Sequence, residues 1–115
     1  MTAQQGSGPQ PVVSVKNVID ALPGPWQPQD LVTANETVVR VARFEGEFPW
    51  HVHEEDELFL GWDGSFRIET EGQDPVTLNA GELFVVPRGV RHRPVAAQPA
   101  HALMIERPET KQYGN

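Results

Sequence analysis

The sequence contains no cysteine among its 115 residues. Disulfide bridges, thiolate metal sites and cysteine nucleophiles are therefore excluded. No apolar run approaches the ~20 residues that a membrane-spanning helix requires. The first residues also lack the basic start and apolar core of a signal peptide. We therefore expect a cytoplasmic protein that does not enter a membrane.

Basic residues are also scarce, with 9 lysines and arginines against 16 acidic residues and a formal net charge of −7. This charge repels the phosphates of nucleic acids, so we expect no nucleic-acid partner. A chain of this length forms one domain with a single core that needs no covalent staples. We expect a flexible N-terminal tail over 1–11, one domain over 12–107 and a C-terminal tail over 108–115.

Short segments rich in β-branched and aromatic residues, separated by Gly and Pro, fill most of the chain. They indicate an all-β sandwich or barrel. The one helical pattern lies at 14–22, where Ser14 is the expected N-cap. Asp63 and Gly64 predict a tight two-residue hairpin turn between the strands on either side. The predicted strands are 26–31, 37–44, 57–62, 65–70, 76–78, 82–86, 92–96 and 102–106.

Three histidines and one glutamate form the strongest chemical pattern in the chain. His51 and His53 are separated by one residue, so their side chains point the same way in an extended segment. Glu57 follows a short acidic bend and can return on the neighbouring strand, and His92 can join from a distant strand. Imidazole nitrogens and a carboxylate suit Fe, Mn, Co, Ni or Zn, whereas Ca prefers oxygen ligands throughout. We predict that these four residues bind one divalent transition metal.

The spacing of these residues resembles the two motifs of small single-domain cupins, in the RmlC-like jelly-roll superfamily. The motifs are G-x5-H-x-H-x3-E-x6-G and G-x5-P-x-G-x2-H-x3-N. Two positions depart from them: Gly46 lies one residue too close to the first histidine, and Ala96 replaces the final Asn. The positions that match are His51, His53, Glu57, Gly64, Gly81, Pro87, Gly89 and His92.

The resemblance implies a cupin-type double-stranded β-helix, or jelly-roll barrel, with a short N-terminal helix. It also implies that the metal ligands lie inside the barrel and that two copies form a homodimer. Two functions remain open. The protein is either a metal-dependent oxygenase, isomerase or lyase acting on a small organic acid or sugar, or a non-catalytic module that binds a metal or small ligand. The sequence identifies neither the metal nor the substrate.

Two features near the motifs have two interpretations each. Arg88, Arg91 and Arg93 flank His92 and either attract an anionic substrate or form a solvated turn. Phe48 and Trp50 precede the first histidine and either wall a ligand cavity or pack in the core.

The predicted strand 57–62 carries apolar residues on both faces. One face must therefore cover something besides the barrel interior, and a partner subunit is the simplest candidate. His101 lies outside both motifs, and we expect a structural role for it.

Overall fold

A computed structural model describes residues 8–115, which form one short helix and seven strands. The helix α1, Val15–Asp20, is capped as predicted, because the Ser14 hydroxyl accepts a hydrogen bond from the Asn17 amide at 3.2 Å. Within these residues, no helix is long and apolar enough to cross a membrane. The strands are β1 (Gln29–Ala34), β2 (Thr37–Glu47), β3 (Glu57–Asp63), β4 (Phe66–Thr70), β5 (Val76–Leu78), β6 (Leu83–Val86) and β7 (His92–Glu106).

The strands join one antiparallel sheet in the order β1-β2-β7-β3-β6, to which β4 and β5 attach through β7. β7 is 15 residues long and pairs with β2, with β3 through its second half and with β4 through its first half. The predicted strands 92–96 and 102–106 are therefore the two ends of one strand. No turn forms between them because β2 pairs on both sides of a register shift at Phe44/Gly46. The all-β fold with a short N-terminal helix is confirmed.

The hairpin predicted at Asp63 and Gly64 is wrong. β3 and β4 do not pair with each other, since each pairs with a different half of β7. Gly64 does adopt a positive φ of 68°, and a Cβ there would lie 3.0 Å from the Pro99 carbonyl oxygen. The dipeptide therefore marks a corner at which the chain crosses from one half of the sheet to the other. Glycine suits this corner for its conformational freedom and its small size.

The apolar core lies inside the folded sheet and reaches the predicted metal ligands. The ring of Phe44 packs edge-on against those of Phe66 at 5.0 Å and Phe59 at 6.4 Å. The Phe59 ring also lies 6.3 Å from the ring of His92. Phe59 therefore joins the core to the histidines. The buried core cluster consists of Ala42, Phe44, Phe59, Phe66, Ile68, Leu78, Val86, Ala96, Ala100, Ala102 and Met104.

Both predicted tails contact the sheet where the structure describes them. Residues 1–7 of the N-terminal tail lie outside the described residues, but the Gln10 side chain forms two hydrogen bonds with the backbone of Thr33. At the other end, the Tyr113 ring stacks on Phe48 with centroids 4.9 Å apart, and the Asn115 amide donates to the Val52 carbonyl at 2.9 Å. The proposed domain boundaries stay predictions.

Candidate metal centre

Backbone pairing brings the predicted ligands together from distant parts of the chain. The His51 amide donates to the His92 carbonyl at 3.0 Å, and the His92 amide donates to the His51 carbonyl at 2.9 Å. The His53 carbonyl accepts a hydrogen bond from the Gly89 amide at 2.9 Å. Gly89 forms the corner before β7, so this hydrogen bond is a second backbone contact between the two sequence motifs. Glu57 is the first residue of β3 and faces the same interior.

The side chains of His51, His53, Glu57 and His92 form one buried group, which we call the metal cluster. One potential ligand atom from each residue lies within 4.8 Å of the others, and no member is more than 8% exposed. The Glu57 Oε1 atom lies 3.2 Å from His92 Nε2 and 3.3 Å from His53 Nε2. The structure therefore brings together all the residues that the sequence predicts as ligands.

Backbone carbonyls orient two of the imidazole rings. His51 Nδ1 lies 2.9 Å from the Pro49 carbonyl oxygen, and His92 Nδ1 lies 2.9 Å from the Val90 carbonyl oxygen. Because a carbonyl oxygen only accepts hydrogen bonds, Nδ1 carries a proton in both rings, and Nε2 is the atom directed at the cluster. Metal-binding histidines commonly use this arrangement, which fixes the tautomer and the ring orientation.

The third imidazole is buried without hydrogen-bond partners. Neither ring nitrogen of His53 forms a hydrogen bond, and its contact with Glu57 lacks hydrogen-bond geometry. An unsatisfied buried polar group costs about 1–3 kcal/mol, which ligation of a cation would offset. The donor set of three imidazoles and one carboxylate therefore fits a divalent transition metal.

Burial and neighbouring charges keep two members of the metal cluster, His51 and Glu57, in the protonation states that bind cations. Burial, assisted by the neighbouring imidazoles, lowers the pKa of His51 to about 4. Burial raises the pKa of Glu57, but the contacts with His53 and His92 outweigh it, so that this pKa lies well below its usual range. Metal ligands must be deprotonated to bind. Both groups are therefore in their metal-binding forms at neutral pH.

A second group of polar residues lies beside the first, and the sequence does not reveal it. We call Arg40, Glu106 and Thr110 the Arg40 cluster. Arg40 Nη1 donates to Glu106 Oε2 at 2.6 Å and to the Thr110 carbonyl at 3.3 Å. The same guanidinium donates to Asp30 and to the Pro108 carbonyl, each at 2.8 Å. The β2–β7 pairing brings Arg40 close to Glu106, and the hydrogen bond to the Thr110 carbonyl adds the segment after β7.

The two clusters meet at a pair of carboxyl groups. Leu58 pairs with Ile105, so Glu57 and Glu106 occupy the next position of the β3–β7 pairing. Burial raises the pKa of Glu106 to about 9, and the negative charge of Glu57 adds to the increase, although Arg40 opposes it.

Both clusters contribute to a cavity of about 260 Å³. Its walls are mostly aromatic or apolar, and one of the two aromatic residues considered in the sequence, Phe48, belongs to them. His51 and Glu57 lie at its surface, so that a metal ion held by them would be next to the cavity. The lining residues are Trp26, Pro28, Arg40, Ala42, Phe44, Phe48, His51, Glu57, Phe59, Pro94, Met104, Glu106, Thr110 and Gln112.

Trp50 lies outside this cavity, where two of the clustered arginines stack on it. The guanidinium carbons of Arg91 and Arg93 each lie 5.1 Å from the centre of its ring. Arg93 Nε donates to Glu69 at 2.9 Å, and Arg91 Nη1 donates to Glu71 at 3.3 Å. Both side chains are engaged in surface ion pairs, which favours the solvated interpretation over an anion-binding site.

An antiparallel jelly roll that encloses three histidines and a glutamate is typical of the cupin class. Residues 37–106 match the cupin domain family, and the chain belongs to this family. A cupin-2 domain containing protein from Shewanella frigidimarina NCIMB 400 is 32% identical, with a TM-score of 0.79 over 84% of this chain and 94% of that one.

Two further proteins are similar over different extents. The structure of NMB1881 from Neisseria meningitidis has a TM-score of 0.77 and 24% identity over 84% of this chain and 99% of that one, which supports the fold alone. The uncharacterized protein YdbB of Bacillus subtilis (strain 168) is 37% identical over 60 residues, or 51% of this chain. That match spans about half, 53%, of the curated relative.

Proposed function

We propose that this cupin binds one divalent transition-metal ion and catalyses a metal-dependent reaction on a small organic molecule. The ligands are His51, His53, Glu57 and His92, and the candidate metals are Fe, Mn, Ni, Co and Zn. The observation that carries the proposal is that His51 and Glu57 line the 260 Å³ cavity, so that a small molecule placed there would reach the ion. When bound, such an ion supplies a Lewis acid that polarises an oxygen of the substrate.

The residues of the chain orient the metal ligands and line the cavity with apolar surface. The Pro49 and Val90 carbonyls hold the rings of His51 and His92, so that their Nε2 atoms face the cluster. The aromatic walls lower the local dielectric constant beside the ligands, which strengthens electrostatic interactions there. The reaction classes that fit are oxygenase, isomerase and lyase, with a small organic acid or sugar as substrate.

Elemental analysis after dialysis against metal-free buffer tests the ligand set. We expect about one metal ion per chain in the wild type and none in a His51→Ala/His53→Ala variant. His101→Ala is the matched control, because His101 forms a surface pair with Asp63 at 2.7 Å and lies outside the metal cluster. Metal-free wild type after reloading, or equal metal content in wild type and double variant, would exclude this site.

The alternative function is a non-catalytic module that holds a metal or small ligand. An open coordination position separates the two, because a structural site is closed by protein ligands whereas a catalytic one is not. The visible spectrum of the cobalt-loaded protein should shift when azide is added if the position is open. An unchanged spectrum at saturating azide would favour the binding module.

A homodimer is the proposed assembly. On the outer face of β3 and β6, Leu83 is 64%, Val85 46% and Trp62 41% exposed. Leu83 pairs with Leu60 and Val85 with Leu58, so the apolar side chains form a continuous patch that a second copy would cover. Light scattering should give a dimer for the wild type and a monomer for Leu83→Glu. A monomeric wild type at micromolar concentration would contradict the proposal.

The expected cytoplasmic location and the absence of a nucleic-acid partner stay predictions.

A further inference from the structure

Trp26 forms an unusually fixed wall of the cavity. Its φ of 61° is rare for a bulky residue, and strained backbone of this kind is frequent at ligand sites. The Trp26 amide donates to the Arg43 carbonyl at 2.9 Å, and its indole Nε1 donates to the Glu45 carbonyl at 2.9 Å. Its carbonyl accepts from Gln112 Nε2 at 2.8 Å. Because these polar groups are paired within the protein, the indole offers the cavity only its apolar ring.

Other aromatic rings extend this wall and limit the size of a ligand. The ring centres of Phe44 and Phe48 each lie 4.9 Å from that of Trp26. The cavity volume of about 260 Å³ equals roughly nine waters at ~30 Å³ each. It is slightly below the ~300 Å³ that marks the lower end of ligand pockets. A single flat ring with few substituents fits this space.

Charge restricts the ligand further. Arg40 is the one Lys or Arg side chain among the described residues that line the cavity, and its guanidinium already donates to two carboxyl groups and two carbonyls. A second anionic group on the ligand would therefore lack a cationic partner. A divalent ion beside the Glu57 carboxylate leaves one net positive charge, which a monoanionic head group neutralises.

Hydroxyl groups of a sugar would also lack partners. Glu106 Oε1 and Thr110 Oγ1 form no hydrogen bond, but both atoms are buried beneath the cavity surface, where a ligand hydroxyl does not reach them. A hydroxyl group that packs against the aromatic wall loses its hydrogen bonds to water without replacement, which is costly.

We infer that the cavity takes a planar aromatic molecule with one chelating, monoanionic head group, such as a hydroxyl beside a carboxylate. This inference rests on the proposed function, because the head group binds through the metal. It narrows the substrate class by excluding sugars and molecules with a second carboxylate.

Calorimetric titration of the metal-loaded protein with four probes tests the inference. Salicylate and lactate each offer one hydroxyl and one carboxylate with a single negative charge. They differ in the aromatic ring and in the size of the chelate ring, and the Trp26→Leu variant isolates the contribution of the aromatic ring. We expect salicylate to bind at least ~10-fold more tightly than lactate, because the ring stacks on the aromatic wall. We also expect 4-hydroxyisophthalate, which adds a second carboxylate to salicylate, and xylose to bind more weakly than salicylate. Lactate or xylose that equals salicylate would overturn the inference, as would unweakened binding of 4-hydroxyisophthalate.

Two tryptophan variants locate the bound ring. Trp26→Leu should weaken salicylate binding ~10-fold, whereas Trp62→Leu on the outer face should leave it unchanged. Equal affinities in both variants would place the ring elsewhere and contradict the inference.

Metal content, measured on the same samples, separates the two proposals. Protein that binds no metal contradicts the proposed function. Protein that binds metal stoichiometrically but does not prefer salicylate contradicts only the assignment of the ligand class.

Discussion

The metal cluster and the Arg40 cluster lie side by side in one cavity, but the nitrogen atoms of His53 and of Arg40 are paired in opposite ways. In the metal cluster, both ring nitrogens of His53 are buried without a hydrogen bond. In the Arg40 cluster, the guanidinium donates four hydrogen bonds to protein oxygens. Unpaired buried donors or acceptors are costly, so His53, which keeps them, is prepared for a ligand, whereas the paired Arg40 guanidinium contributes to stability. The comparison predicts which cluster responds to metal.

The largest expected effect is the loss of metal-induced stabilisation when His53 is replaced. Saturating metal, at 1,000 times its Kd, should stabilise the wild type by about 4 kcal/mol, and His53→Leu should abolish this gain. Without metal, the variant should unfold within about 1 kcal/mol of the wild type, because it removes unpaired buried nitrogens. Urea unfolding with and without metal measures both values. Metal-induced stabilisation of the variant equal to that of the wild type would contradict the role of His53.

Arg40→Met should have the opposite effect: it should lower the stability of the protein without changing its response to metal. It removes the donor to Glu106 Oε2 and to the Thr110 and Pro108 carbonyls, and we expect a loss of about 3 kcal/mol whether or not metal is present. Lys16→Met is the control, since the Lys16–Asp20 pair is exposed to solvent, and its loss should leave the stability nearly unchanged. Urea unfolding of both variants is the measurement. Equal losses would show that the Arg40 cluster does not stabilise the fold.

The predictability of the two clusters follows from their spacing in the chain. His51, His53 and Glu57 lie within seven residues, and the period of a strand predicts their shared direction. Only His92 is distant, and its corner of Pro87 and Gly89 is a local signal. The Arg40 cluster has no such signature, because a lone arginine in a strand has the same pattern whether it faces solvent or a buried carboxylate.

Prediction of the fold has the same limit: local features follow from the sequence, but long-range contacts do not. Strand positions follow from local composition, and Val76–Leu78 has the predicted bounds. Which strands pair is a long-range property, however, and the hairpin signal at Asp63 and Gly64 describes a corner instead. β1 begins three residues later than predicted, because Trp26 adopts a positive φ that no strand allows.

The burial of His51 should make the stability of the metal-free protein depend on pH. The folded protein keeps this ring neutral down to a pKa of about 4, whereas the unfolded chain protonates it near the ordinary value of 6.5. Between pH 6.5 and 4 the unfolded state therefore binds the extra proton, and stability falls as pH falls. We expect a loss of about 1–2 kcal/mol after allowance for solvent screening. His51→Gln, measured in parallel with chelator present, should lack this component, and parallel curves would contradict it.

The smallest expected effect concerns the C-terminal segment that connects the Arg40 cluster to the metal cluster. The Arg40 cluster holds Pro108 and Thr110, and the chain then reaches the Val52 carbonyl, between two metal ligands. A Cβ on Gly114, at φ 89°, would lie 2.5 Å from that carbonyl oxygen. Gly72 has a similar φ of 81° but open space, so Gly72→Ala is the matched control.

Both glycine variants should lose about 1 kcal/mol from backbone strain. Only Gly114→Ala should also displace the Asn115 amide from Val52, because only there does the added methyl group meet backbone. Hydrogen exchange should therefore be faster at Asn115 in Gly114→Ala and unchanged in Gly72→Ala. The protected amides of β2 and β7, which carry Arg40 and Glu106, should exchange at the same rate in both variants. The hydrogen bonds of Arg40 form without the contact between Asn115 and Val52. Unchanged protection of Asn115 in Gly114→Ala would show that the two clusters are not joined through this close approach.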